Sequence, residues 1–203
     1  MSKFSDANTE IQSLGEAKVT SPIISEVDGS SPKIFKADKD RILIDVNAKD
    51  INKIFNEGHT PPSFELAGPR KKIFFDPSKL KCAVVTCGGL CPGLNNVIRA
   101  VVLELYYRYR VRHIYGIRYG LQGFIPEYMH DLVELSPDTV VHIHEMGGSI
   151  LGSSRGPQDI EAVVDCLERL NIGVLFMVGG DGTLKAATGI VEEINRRGAK
   201  IGV

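Results

Sequence analysis

The sequence is without any apolar run long enough to span a bilayer, which argues against a membrane-embedded helical protein. Its first residues, Met1-Ser2-Lys3-Phe4-Ser5-Asp6, lack the apolar core of a secretory signal. It also has almost no excess of either charge: 24 Lys and Arg stand against 25 Asp and Glu, a net of -1. Nothing global therefore points to nucleic acid or to an anionic membrane surface. Cysteine is sparse, with Cys82, Cys87, Cys91 and Cys166 only. A chain of this size needs no disulfides to fold, and these spacings match no zinc pattern. Cys87 and Cys91 flank a pair of glycines, which leaves a redox role open beside the plainer reading of small loop residues in a reducing cytoplasm. His142 and His144 lie two apart in an expected helix, on different faces, which argues against a shared metal.

What remains is an ordinary soluble composition: 203 residues, 43% hydrophobic and 24% charged, enough for one substantial domain with an arm. Residues 1 to about 35 are rich in Ser, Thr, Glu and Asp without periodicity and read as an extended or poorly ordered arm. Arg41 to Val46 reads as a short strand. Residues 47 to 80 read as loops punctuated by Pro61-Pro62, Gly68-Pro69 and Asp76-Pro77. The cluster Arg70-Lys71-Lys72 reads first as a solvated face and second as a phosphate contact. The arm is taken as residues 1–80 and an α/β domain as 81–203.

From residue 80 short apolar runs alternate with amphipathic segments. Strands are expected at about 82–87 and at 111–117. Another is expected at 149–152, one at 173–178 and one starting at Lys200. A helix is expected over 94–109, with Val97, Val101 and Leu105 on one stripe and Ile98 and Val102 beside it. A second should start at Ser136-Pro137 and stop at Gly147-Gly148. A third carries Ile160, Val163, Val164, Leu167 and Leu170, and a fourth Leu184, Ala187, Val191 and Ile194. The pattern predicts an α/β fold: an open, mostly parallel, Rossmann-like sheet with helices on both faces. In such sheets ligands sit beyond the carboxyl ends of strands, where the glycine turns near residues 88, 155 and 180 all fall.

Thr86-Cys87-Gly88-Gly89-Leu90-Cys91-Pro92-Gly93-Leu94-Asn95 reads as strand, glycine turn, helix. Such a turn suits a phosphate, because glycine lets backbone come close and a helix start offers free N–H donors. The plain alternative is a tight turn with no ligand. Gly179-Gly180-Asp181-Gly182-Thr183 is more informative. A carboxylate beside bound phosphates makes sense with Mg2+ between them; an Asx-type turn is the alternative. Thr183 is read as offering its hydroxyl to a phosphate or as capping the helix. Arg155 reads as a fork onto phosphate oxygens, able to offset charge during phosphoryl transfer, or else as a surface arginine. Tyr119 to Phe124 is a glycine-punctuated loop read as turn packing.

Three segments together resemble the 6-phosphofructokinases: Gly88-Gly89-Leu90-Cys91-Pro92-Gly93-Leu94-Asn95, then Gly147-Gly148-Ser149-Ile150-Leu151-Gly152-Ser153-Ser154-Arg155-Gly156, then Gly179-Gly180-Asp181-Gly182-Thr183. Phe64 to Arg70 and Ile73 to Pro77 look like the lead-in of the long-arm branch of plants, protists and some bacteria. The resemblance implies the glycolytic transfer of a phosphoryl group from Mg-ATP to the 1-hydroxyl of fructose 6-phosphate. It implies that Gly88, Arg155, Gly156, Gly180, Asp181, Gly182 and Thr183 bind the donor, with Asp181 on Mg2+ and Arg155 stabilising the transition state. Pyrophosphate-dependent relatives carry Asp where this chain has Gly182, so the resemblance favours ATP over pyrophosphate. It places the catalytic base in a Thr-Ile-Asp-Asn-Asp segment beyond Val203, so the chain is expected to be an N-terminal portion. It further implies a cytoplasmic homo-oligomer, a dimer or tetramer when complete. A non-catalytic nucleotide-binding subunit is the alternative of a different class. NAD and lipid kinases share only the Gly-Gly-Asp-Gly loop.

Overall fold

The computed structural model describes residues 9–23, 34–89 and 91–203. Residues 1–8 and 24–33 of the expected arm and Leu90 of the first glycine stretch lie outside the described residues. The chain forms two units, Met1–Phe74 and Phe75–Val203.

In the first unit, β1 (Val19–Thr20), β2 (Arg41–Leu43), α1 (Ala48–Asn56), β3 (Ser63–Glu65) and β4 (Lys72–Ile73) follow in order. β1 pairs antiparallel with β4, and β2 antiparallel with β3. β2 is shorter than expected because Asp45 Oδ1 accepts the N–H of Asn47 at 2.8 Å and turns the chain. Asn47 then caps α1, accepting from Lys49 N at 3.0 Å. That helix falls where loops were expected, and none of its residues is buried. Arg70 is no solvated face. It donates to Asp38, Glu65 and the carbonyls of Leu66 and Gly68 at 2.9–3.3 Å.

The second unit contains β5 (Lys81–Thr86), α2 (Leu94–Leu103), β6 (His113–Ile117), β7 (Val133–Glu134), α3 (Ile160–Leu170), β8 (Val174–Val178) and α4 (Asp181–Arg197). The sheet order is β7-β6-β5-β8. β5 is parallel to both β6 and β8, while β7 is an antiparallel edge. The expected last strand is reduced to a parallel bridge between Val174 and Gly202. β5 is buried on both faces, as an apolar run in a parallel sheet must be. Ala83 and Val85 pack with Val163, Val164 and Leu167 of α3 and Ile190 and Ile194 of α4. Cys82 and Val84 pack on the other face with Ile98 and Val102 of α2. Helices thus cover both faces of a mostly parallel sheet, the expected class. Among the described residues no helix is long and apolar enough to cross a membrane.

Several local expectations fail for identifiable reasons. α2 ends at Leu103 and continues as a wider turn, Glu104–Arg108, closed by Tyr109 N to Glu104 O at 3.1 Å. Its buried stripe is Leu94, Ile98 and Val102 rather than Val97 and Val101. The helix expected from Ser136 is a single turn followed by a short tight turn, Ile143–Glu145. Ser136 and Thr139 bond each other's backbone N–H through their hydroxyls, at 2.7 and 3.3 Å, the reciprocal arrangement of a capping box, so the turn is capped at its start but is not propagated into a helix. On α4, Thr183, Ile190 and Ile194 are buried, whereas Leu184 is 64% exposed.

α3 and α4 are also joined by charge. Glu193 accepts from Arg196 through both carboxylate oxygens at 2.6 Å and from Arg197 Nε, and Arg197 also reaches Asp165 and Glu168 of α3. The hydrogen bonds from Arg196 and then Arg197 hold the Glu193 carboxyl down at about 2, against an ordinary 4.5. A depressed carboxyl contributes stability that is present above its unfolded value and lost as pH falls through its folded value. Glu193→Gln should therefore unfold with a urea midpoint that varies less than the parent's between about pH 4.5 and 2. Equal slopes in the two proteins would contradict the clamp.

Candidate functional site

β5 lies between β6 and β8, so the chain leaves it first to one side and later returns on the other. The crevice at the carboxyl ends of β5 and β8 is therefore a topological switch point, the place where open α/β sheets bind ligands. Thr86 and Val178, the last residues of the two strands, are partners in register. Cys87 N–H continues the ladder to Val178 O at 2.8 Å. The glycine turns at 88 and 180 consequently leave the sheet side by side, one toward α2 and the other toward α4.

The third turn arrives differently from the expectation. Ser149 to Gly152 is a turn rather than a strand, with Gly152 at φ 67° and its N–H on Ser149 O at 3.0 Å. Side chains take the backbone groups that a strand would need. Asn95, only 2% exposed, accepts from Ile150 N at 2.8 Å and donates to Met146 O at 3.0 Å. Thr86, fully buried, donates to Gly152 O at 2.7 Å and bonds the Ser149 hydroxyl at 2.8 Å. Ser153 Oγ donates to Gly88 O at 2.5 Å, and Gly88 N–H reaches Ser154 O at 3.2 Å. This lock brings Arg155 over the first glycine turn, where its Nη2 lies 3.5 Å from the point a Gly89 Cβ would occupy. Sequence reading quoted Asn95 only within a motif and gave Thr86, Ser149 and Ser153 no role. The signal was a polar residue inside an apolar helix stripe and another ending an apolar strand.

Around these turns lies a cavity of about 760 Å³. Gly88, Gly89, Arg155, Gly156, Gly180 and Gly182 line one part of it. Leu121, Pro157, Ile160, Ala186 and Gly189 line another, largely apolar, part, and Thr183 and Lys185 complete the α4 wall. Six of the seven residues expected at the site thus share one cavity. Asp181 is exposed between two lining glycines and does not line the cavity itself. Arg155 is exposed and makes no ion pair with any described residue. Among the described residues no group of three or more His, Cys, Asp or Glu is placed to hold a metal ion. A cation at Asp181 would therefore draw its other ligands from a bound ligand and water, a donor set that suits Mg2+. His142 and His144 each approach Glu145, at 3.9 and 3.7 Å. Burial pushes the Cys87 thiol up to about 11, so at neutral pH it is a small core residue rather than a reactive one.

The glycines divide into two kinds. At Gly179 an added Cβ would stand 2.1 Å from Thr183 Oγ1 and 2.9 Å from Cys87 O, so the packing of the two loops requires glycine there. Thr183, 7% exposed, does not cap α4; its side chain fills the space under Gly179. At Gly180 and Gly182 an added Cβ would meet nothing within 4 Å, and neither has positive φ. The fold makes no demand for glycine at those two positions.

Comparison with known proteins adds the following. A family model described as phosphofructokinase matches residues 81–201. The chain is 43% identical over 201 residues to the ATP-dependent 6-phosphofructokinase of Borreliella burgdorferi, covering 99% of this chain and 44% of that protein. It is 52% identical over 139 residues to the Entamoeba histolytica protein of the same name, covering 68% and 32%. It is 43% identical over 150 residues to ATP-dependent 6-phosphofructokinase 7 of Arabidopsis thaliana, covering 74% and 30%. The chain spans less than half the length of these curated relatives. Among solved structures, a pyrophosphate-dependent phosphofructokinase from Marinobacter aquaeolei superposes with a TM-score of 0.53 at 21% identity, covering 60% of this chain and 32% of that one. At that identity the likeness speaks for the fold alone.

Asn95→Ala would leave Ile150 N–H and Met146 O without their partners. Met146 is exposed and its carbonyl can turn to water, so at roughly 1–3 kcal/mol for a polar group left unmatched away from water the variant should lose about 1–3 kcal/mol of stability in urea unfolding. Loss below about 0.5 kcal/mol, the usual range of a neutral surface change, would show that the lock is incidental.

Proposed function

The chain belongs to the phosphofructokinase family, and on that premise we propose that the complete protein transfers a phosphoryl group from Mg-ATP to the 1-hydroxyl of fructose 6-phosphate. The products are fructose 1,6-bisphosphate and ADP. The observation that carries this reading is Gly182. Glycine inside a helix costs roughly 0.5–1 kcal/mol relative to alanine, and here no contact in the fold calls for it. A ligand pressed against the first turn of α4 accounts for it.

The shape of the cavity favours a nucleotide over pyrophosphate as donor. Beyond the glycine turns it continues along α4 past Ala186 to Gly189, two turns of helix from Gly182, with Leu121 and Ile160 as apolar walls. Pyrophosphate has nothing to place there; a nucleoside does. In this reading the N–H groups at Gly88, Gly180 and Gly182 meet phosphate oxygens. Arg155 and Gly156 contact the donor from the facing turn, and Thr183 holds the α4 turn in place. Asp181 would hold Mg2+, which when bound neutralises phosphate charge. Arg155 offsets charge on the transferred group. These residues bind and orient the donor; proton removal from the sugar hydroxyl is assigned to none of them. The same reading carries the expectation of a cytoplasmic homo-oligomer, dimer or tetramer.

Two substitutions in the complete enzyme test it. Gly182→Ala should raise unfolding stability by roughly 0.5–1 kcal/mol while lowering kcat/KM for ATP. Gly182→Asp, placed in the same open space, should lower kcat/KM for ATP by at least about 100-fold. Full ATP turnover by Gly182→Asp would overturn the assignment, and turnover of the parent with pyrophosphate but not ATP would overturn the choice of donor. Asp181→Asn should abolish turnover. Activity unchanged by that replacement would remove Asp181 from the metal.

A further inference from the structure

The cavity has a second cation that the family resemblance did not assign. Lys185 lines it from α4, as Arg155 does from the facing turn. Lys185 is exposed and has no ion pair or hydrogen bond with any described residue. Asp181 precedes it by four residues, with acid before base, the arrangement in which helical pairs form most readily. No ion pair joins the two. Side chains on a helix lean toward its N-terminus and cover the turn before their own Cα. Lys185 therefore covers the turn that carries Gly182, at the helix end where anions bind. The other cavity-lining residues of α4 at and after Gly182 are Thr183, Ala186 and Gly189, none of which carries charge.

We infer that Lys185 binds the phosphate chain of the donor directly, opposite Arg155, and so sets affinity for the charged part of the nucleotide. The inference rests on the nucleotide reading of this cavity. It assigns Lys185 to binding rather than to the chemical step, because a flexible ammonium on a solvated wall acts as a point charge.

Equilibrium binding of ADP and of adenosine to the complete protein, parent and Lys185→Met, tests it. The two probes share the nucleoside and differ in the phosphates. Lys185→Met should weaken ADP about tenfold and leave adenosine within about twofold, while Lys185→Arg should keep most of the ADP affinity. The position is exposed, so thermal unfolding should not change. ADP affinity unchanged in Lys185→Met, or adenosine weakened as much as ADP, would overturn the inference. A parent protein that binds neither probe would overturn the nucleotide reading itself, an outcome distinct from either of these.

Discussion

The site depends on the parallel pairing of β5 with β8 carried one residue past the strand ends. Cys87 N–H bonds Val178 O at 2.8 Å, in line with the Thr86–Val178 register. Two backbones that close leave no room for a Cβ at Gly179, which would collide with Thr183 and with the Cys87 carbonyl. Every later feature follows from this approach. The two glycine turns emerge side by side, their helices go to opposite faces, and the crevice between them opens at the sheet's switch point. A sheet without this pairing would hold the same loops in the same order and form no cavity.

Glycine serves two purposes here that a sequence alone does not separate. Gly120 would place a Cβ 2.8 Å from Ser154 Oγ, and Gly179 would place one 2.1 Å from Thr183; both are required by packing between loops. Gly180 and Gly182 face open space. Written in one line they look alike, and the motif reading treated Gly179, Gly180 and Gly182 alike as parts of one phosphate-binding stretch while leaving Gly120 to turn packing. The geometry assigns the first kind to the architecture of the crevice and leaves the second kind to be explained by what enters it.

Legibility followed the strength of the local signal. β5 and β8 were readable because a continuous apolar run between turn residues suits a strand covered on both faces, and α3 because Val163, Val164 and Leu167 recur at helical spacing and are buried. The turn at 149–152 was misread as a strand. Its apolar residues Ile150 and Leu151 look extended, but Asn95 and Thr86, more than 50 residues away in sequence, take its backbone groups. No local pattern carries that information. The helix expected after Ser136 stops after one turn even though Ser136 and Thr139 cap its start reciprocally, because a cap satisfies the first N–H groups without supplying the packing that propagates a helix. α1 was missed because residues 47–80 were read from their proline and glycine punctuation alone, without the cap that Asn47 supplies. At the site, the glycines and Arg155 were legible as motifs. Lys185 was not, because a lysine in the first turns of a helix is ordinary until the cavity beside it is seen.

Charge separates what the fold uses from what it leaves open, and α4 shows both in one element. Toward its C-terminal end Glu193, 8% exposed, takes three hydrogen bonds from Arg196 and Arg197. Arg197 in turn ties two carboxylates of α3. Burying a carboxylate is costly unless it is paired this fully, so these charges serve packing between helices. Toward the N-terminal end the pattern reverses. Asp181, Lys185 and, across the crevice, Arg155 have no ionic partner among the described residues. Exposure keeps the cost of that arrangement small in the free protein, since each group stays hydrated. The gain appears only when a polyanion displaces the water and meets the cations and the helix start together. One end of the helix is neutralised to hold the domain, and the other is left uncompensated where a charged ligand can complete it.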